Sequence, residues 1–270
     1  MLPIGCFGPD VKADVNEVGK RASRVLPKVN GPIEAGLSDS DLNHVQITWS
    51  TNLNLDREIL KIGHGGTLDS NAQGVLVVGL GDGCRLLQKA LHGIKKYQAV
   101  GELGTATDTF NECGKVTQRL PYDHVTEERF LECLKPFHGH VDQAAPIYSA
   151  LKVGGERMSD LARKEIKVEA KLRRVFIKSV KCTQFSPPVF KLEIVCGGGC
   201  YTRSIVNDIG KSLDTCAHQK HLIRLEQKPF VVSETLHLDQ CNLHNVLSAI
   251  QMSSKKINCF PSSRKRRDLW

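Results

Sequence analysis

Long apolar runs are missing from this 270-residue chain. No stretch approaches the ~20 apolar residues that a membrane-crossing helix needs. The chain also lacks a basic start followed by an apolar core, the pattern of an export signal. No internal repeat is visible, which argues against a solenoid. Its ten cysteines, at 6, 84, 113, 133, 182, 196, 200, 216, 241 and 259, contain no Cys-x-x-Cys spacing. Without an export signal they are expected to be free, mostly buried thiols in a reducing compartment. Gly79-Leu80-Gly81-Asp82-Gly83 lacks the third glycine and the strand–helix–strand setting of a dinucleotide loop. Cys196 and Cys200 with His218 and His221 fall inside the broad range of zinc-ligand spacings. However, Cys196 alternates as a strand residue, so no metal is expected there.

Positive charge is in excess, but most of the excess is local. The net charge is +8, and residues 255–270 carry six cations against one aspartate, leaving only +3 for the other 254 residues. The overall charge therefore invites a nucleic-acid partner without proving a basic face on the folded body. The content of apolar residues is ample for a core, in one large domain or one domain with appendages.

Residues 1–58 show poor periodicity and recurrent Gly, Pro, Asn, Asp and Ser, and they are expected to be mostly irregular. From residue 59 the chain changes character. Val75–Leu80 reads as a buried strand, Arg85–Leu91 as a short helix and Tyr97–Leu103 as a second strand. Thr126 is a candidate N-cap, with Phe130, Leu131, Leu134 and Phe137 spaced along one helical face. Val175–Thr183 and Phe190–Cys196 are strand-like, joined through Ser186-Pro187-Pro188, and Phe190, Leu192 and Ile194 alternate with Lys191 and Glu193. Ile205, Val206, Ile209, Leu213 and Cys216 follow a 3.6-residue period, so a helix should begin near Arg203. Together these predict an α+β fold with a mixed, largely antiparallel sheet and flanking helices.

The segment richest in chemical possibility is Gly63-His64-Gly65-Gly66-Thr67-Leu68-Asp69-Ser70, directly before the run Gly74–Gly79. It presents a carboxylate on a glycine-rich turn anchored by a buried strand, as nucleophilic or acid–base chemistry requires. The segment resembles the catalytic motif of the TruB family of tRNA pseudouridine synthases. Three further segments resemble that family in the same order. These are Lys96-Tyr97 through Gly101–Thr109, then Ala145-Pro146-Ile147-Tyr148-Ser149-Ala150-Leu151-Lys152, and Cys196-Gly197-Gly198-Gly199-Cys200-Tyr201-Thr202-Arg203-Ser204. Their wording is closer to eukaryotic than to bacterial members, and the likeness covers roughly residues 59–238.

The resemblance implies isomerisation of the T-loop uridine (position 55) of tRNA to pseudouridine. The base never leaves, so no cofactor is implied. Asp69 would be the catalytic carboxylate and Arg203 its partner, a guanidinium able to hold it with two parallel hydrogen bonds. Tyr97 would stack on the target base and take or relay a proton. His64 would fill the gap left by a flipped uridine, or else bond the local backbone. Asp108 would be a second pocket acid bonding substrate or the arginine, or else an ordinary turn cap. Tyr201 would support the pocket, and Lys152 would contact substrate.

Residues 143–173, with seven cations against four carboxylates, would form an insertion closing over RNA, although a solvated surface segment would carry the same charges. The implied partners are tRNA and other RNAs with a T-loop-like stem-loop, with no membrane, in the nucleus and cytosol. The chain departs from the family at its start. The usual Lys-Pro-x-Gly-x-Thr-Ser strand and turn is not found in residues 1–58, so the sheet is expected to lack its first strand. That loss would favour a catalytically silent RNA-binding protein as the alternative. Residues 241–270 are expected to form a short helix and a basic tail, too few for an RNA-binding accessory domain. The tail is either an import signal or an RNA-contacting arm.

Overall fold

The computed structural model describes residues 2–6, 62–166, 172–237 and 240–257. In chain order the elements that frame the site are strands β1 (Leu2–Cys6), β2 (Ile62–His64) and β3 (Gln73–Leu80), helix α1 (Leu87–His92), and strand β4 (Lys95–Leu103). They are followed by β5 (Thr105–Thr107), β6 (Val116–Arg119), α2 (Glu127–Cys133), β7 (Gly139–Ala144), β8 (Lys152–Val153), β9 (Glu156–Arg157) and α3 (Met158–Arg163). The C-terminal half supplies β10 (Leu172–Ser186), β11 (Val189–Cys196), α4 (Thr202–Ser212), β12 (Ala217–Gln227), β13 (Phe230–Val231), β14 (Leu236–His237) and α5 (Leu243–Ile257).

Ten strands form one sheet in the order β14-β1-β3-β12-β4-β11-β10-β7, with β2 added to β3 and β13 to β12. Only the β1–β14 and β3–β12 pairs are parallel. The mixed, largely antiparallel α+β architecture is the one the sequence predicts. β4 and β11 bury alternate residues, so one face carries the core: Phe190, Leu192 and Ile194 are fully buried. Against it α4 sets Ile205, Val206 and Ile209, also fully buried. Each such side chain contributes about 1.5–3 kcal/mol of burial free energy. β3 is apolar on both faces because it is covered twice. Leu76 and Val78 join the main core, while Val75 and Val77 pack with Leu87 and Ala90 of α1 and with Phe230.

Three expectations need correction. The sheet does not lack a strand before β3: Leu2–Cys6 lies between β14 and β3 and pairs antiparallel with β3, from Leu2 opposite Val78 to Cys6 opposite Gly74. Its sequence keeps only Pro3 and Gly5 of the expected motif, with Leu2, Phe7 and Gly8 where Lys, Thr and Ser were expected, and the ladder forms because pairing needs backbone groups rather than particular side chains. The expected irregularity of the rest of residues 1–58 lies outside the described residues, as does the basic tail from residue 258. The helix capped by Thr126 ends at Cys133, so Phe137 is buried from beyond it and Leu131 is 46% exposed. Likewise Cys216 is buried from beyond α4, which ends at Ser212.

Candidate active site

Asp69 lies in the turn between β2 and β3, and the turn is fixed at several points. Gly65 N donates to Val77 O at 2.8 Å and Ala72 N to Asp69 O at 2.9 Å. Leu68 and Ala72 on either side are 4% and 1% exposed. The carboxylate is thus presented from a segment whose neighbours are locked in the core.

Arg203 sits in the first turn of α4 with its side chain 5% exposed. It meets Asp69 as a two-pronged pair: Nε donates to Oδ2 at 2.7 Å and Nη2 to Oδ1 at 2.8 Å. The remaining prongs reach two other segments, Nη1 donating to Thr109 O at 2.9 Å and Nη2 to Tyr148 O at 3.1 Å. Three stretches of sequence therefore converge on the guanidinium of a fourth, across separations of 134, 94 and 55 residues. The arginine satisfies its donors and fixes the carboxylate's orientation together. The backbone leading into it is held as well, since buried Gln143 accepts from Tyr201 N at 2.8 Å and donates to Tyr201 O at 3.1 Å.

Tyr97 lies on the buried face of β4, 7% exposed, in register with Arg224 of β12. Burial drives its phenol well above the usual tyrosine range, only partly offset by the Arg224 guanidinium that hydrogen-bonds it. It is therefore a neutral hydroxyl at pH 7, suited to donating a hydrogen bond rather than to taking up a proton.

The most informative residue that sequence patterning missed is Arg224. It is 1% exposed and has no carboxylate partner among the described residues. Instead Nε donates to Val75 O at 2.6 Å, Nη2 to Gly66 O at 3.2 Å and Nη1 to Thr67 O at 3.3 Å. It thus ties the turn that carries Asp69 to β3 from below. β3 comes close enough because residue 74 is glycine: at φ 101° a Cβ there would stand 2.2 Å from Arg224 O. An arginine alternating within an otherwise mixed strand gives no periodic signal, which is why pattern reading passes over it.

The other expected residues divide. His64 is exposed at the end of β2 and its Nδ1 accepts from Gly66 N at 3.4 Å, the local backbone bond expected of the blander role. Partial burial, then Arg224 and Arg157, lowers its pKa below 6.5, so the ring is neutral at pH 7. Asp108 does not bond Arg203. Its Oδ1 accepts from Lys115 N at 2.9 Å, and the arginine takes the carbonyl of the next residue instead. Lys152 is exposed on β8, opposite Arg157, and neither has an ion-pair partner among the described residues. The nearby cations Arg163 and Lys164 are paired with Asp160 at 2.8 Å and Glu156 at 2.6 Å.

The N-terminal domain of the TruB family of pseudouridylate synthases matches residues 54–202. The chain belongs to the TruB family. It is 46% identical over 208 residues to human pseudouridylate synthase TRUB1, a match covering 76% of this chain and 59% of the human protein. It is 38% identical over 185 residues to tRNA pseudouridine synthase B of Symbiobacterium thermophilum, covering 67% of this chain and 62% of that one. This TruB-family chain thus spans about three fifths of the length of these relatives. Among solved structures, the crystal structure of a Cbf5–Nop10–Gar1 complex superposes with a TM-score of 0.50 at 25% identity, over 70% of this chain and 45% of that one. The matched segment contains Asp69, Tyr97, Thr109 and Tyr148 and ends one residue before Arg203, so the pair straddles its boundary.

Proposed function

We propose that this protein is a tRNA pseudouridine synthase that isomerises the T-loop uridine, position 55, without a cofactor. The observation that carries this is the two-pronged Arg203–Asp69 pair, held by a guanidinium that also bonds the Thr109 and Tyr148 carbonyls. In this function Asp69 acts on the nucleotide as nucleophile or base, with the two-pronged Arg203 contact keeping it aimed. Tyr97 flanks the base and donates from its neutral hydroxyl. His64, exposed at the end of β2 beside the Asp69 turn, is suited to the displaced loop, and the exposed cations Lys152 and Arg157 of the β8–β9 hairpin are suited to its phosphates. Breaking the glycosidic C–N bond and rejoining the same base through carbon is internally balanced, so the protein need supply only charge, orientation and enclosure.

Other RNAs with a T-loop-like stem-loop fit the same requirement. The silent RNA-binding alternative rested on a missing first strand, whereas β1 pairs with β3 and β14. Purified protein incubated with unmodified tRNA should yield pseudouridine at position 55 by chemical mapping. No product with a correctly folded transcript would overturn the assignment. A nuclear and cytosolic location is part of this proposal, with Lys255-Lys256 and Arg264–Arg267 as a two-part import signal. A tail truncation that stays nuclear but binds tRNA more weakly, with a shallower salt dependence, would make the tail an RNA-binding arm instead.

A further inference from the structure

Lys95 has no role in the chemistry above, yet it is a lysine buried to 5% exposure at the start of β4, two residues before Tyr97 on the same face. Its ammonium faces no carboxylate among the described residues. Its Nζ donates to Ala90 O at 3.0 Å, Leu91 O at 2.8 Å and Gly93 O at 2.8 Å. Three N–H donors meet three carbonyls, the last carbonyls of α1 and of the residue that ends it. That end needs such a partner. Gly93 is extended, with φ −66° and ψ 164°, and does not fold back in the left-handed conformation that usually satisfies terminal carbonyls.

The end of α1 touches both turns that carry the Asp69–Arg203 pair. On one side Gln227, fully buried on β12 opposite Lys95, donates from Nε2 to both Ala90 O at 3.1 Å and Gly65 O at 2.5 Å. A Cβ on Gly65 would stand 2.8 Å from Ala90 Cβ. On the other side, the glycine turn that leads into Arg203 lies directly on the helix end: a Cβ on Gly198 would stand 2.3 Å from Leu91 O. The last turn of α1 is therefore a wedge between the turn carrying Asp69 and the turn carrying Arg203, and Lys95 holds that wedge closed.

We propose that Lys95 is a positioning residue, whose ammonium on the end of α1 sets the spacing of the Asp69 and Arg203 segments. It acts through those segments and touches neither reacting group. The kinetic part rests on the proposed synthase activity; the structural part does not.

Lys95→Met keeps an unbranched side chain only one atom shorter and removes all three donors. With tRNA it should lower kcat roughly ten- to hundredfold, the loss that small misplacement of reacting groups produces, with KM within about twofold. Hydrogen exchange should rise at least tenfold in residues 64–70 and 197–203 while β4, β11 and the middle of β12 keep their protection. A merely structural role would loosen the whole sheet and leave no such split. Gly198→Ala disturbs the same wedge from its other side and should give the same local exchange pattern, which supplies the test if Lys95→Met does not fold. Wild-type kcat in Lys95→Met, or exchange in the two turns unchanged or raised only together with the sheet, would overturn the proposal. A wild-type protein without activity would overturn the synthase assignment alone, leaving the exchange result to decide the role of Lys95.

Discussion

Arg203→Lys tests the centre of the site with the mildest available change. The charge is kept, but the planar fork is not. Arginine meets four acceptors from three nitrogens: two oxygens of Asp69 and the carbonyls of Thr109 and Tyr148. A lysine presents its donors from a single atom, and it can serve Asp69 and at most one of the two carbonyls. At least two hydrogen bonds to a charged group are then lost, each worth about 1.5–3 kcal/mol in net terms. Water restores part of this at Asp69, whose side chain is 25% exposed, so the expected fall in unfolding free energy is about 2–4 kcal/mol. The carboxylate also loses its fixed orientation. A displacement near 1 Å costs roughly a hundredfold in rate, equivalent to about 2.7 kcal/mol of barrier. Single-turnover pseudouridine formation on unmodified tRNA should therefore slow by about a hundredfold, while RNA affinity stays within about threefold. In thermal unfolding, a double-mutant cycle with Asp69→Asn should give a coupling of at least ~1 kcal/mol. Turnover within about threefold of wild type, or additive stability effects, would refute the argument that the fork, and not merely the charge, holds Asp69.

Asp69→Asn should abolish product while tRNA affinity stays within about tenfold, ~1.4 kcal/mol; turnover comparable to wild type would remove Asp69 from the chemistry. Gly74→Ala forces an L-residue to φ 101° and sets a Cβ 2.2 Å from Arg224 O, so it should destabilise by about 2–4 kcal/mol and lower Tm by roughly 5–10 °C. An unchanged Tm would mean that β3 and β12 do not approach as closely as described. Burial first, and the Arg224 charge second, lowers Lys95 to about 8 from 10.5. The folded protein then releases this proton before the unfolded chain does, so stability from this group rises with pH between about 8 and 10.5 and is lost as pH falls through 8. Denaturant midpoints from pH 7 to 10 should show that rise in wild type and a flatter profile in Lys95→Met; identical profiles would refute the assignment.

The amino-acid sequence by itself determined the local elements and the chemistry on offer. Period-2 alternation in Phe190–Ile194 and period-3.6 spacing in Ile205–Ile209 mark a half-buried strand and a helix because each face of such an element meets one environment. The glycine-rich turn around Asp69 was legible for a related reason, since a carboxylate between glycines and a buried strand has few structural uses. Tertiary structure decided what long-range pairing decides. The four-way junction at Arg203 joins residues as many as 134 positions apart, and no local pattern encodes such a distance. β1 is passed over by motif reading because only Pro3 and Gly5 of the expected motif are present, and its pairing with β3 and β14 is made by backbone groups. Asp108 could not be placed because one residue of register chooses between its carboxylate and the Thr109 carbonyl. Lys95, Gln227 and Arg224 lay hidden because their partners are carbonyls. Every residue carries one, so only the folded chain shows which of them a buried cation is left to satisfy.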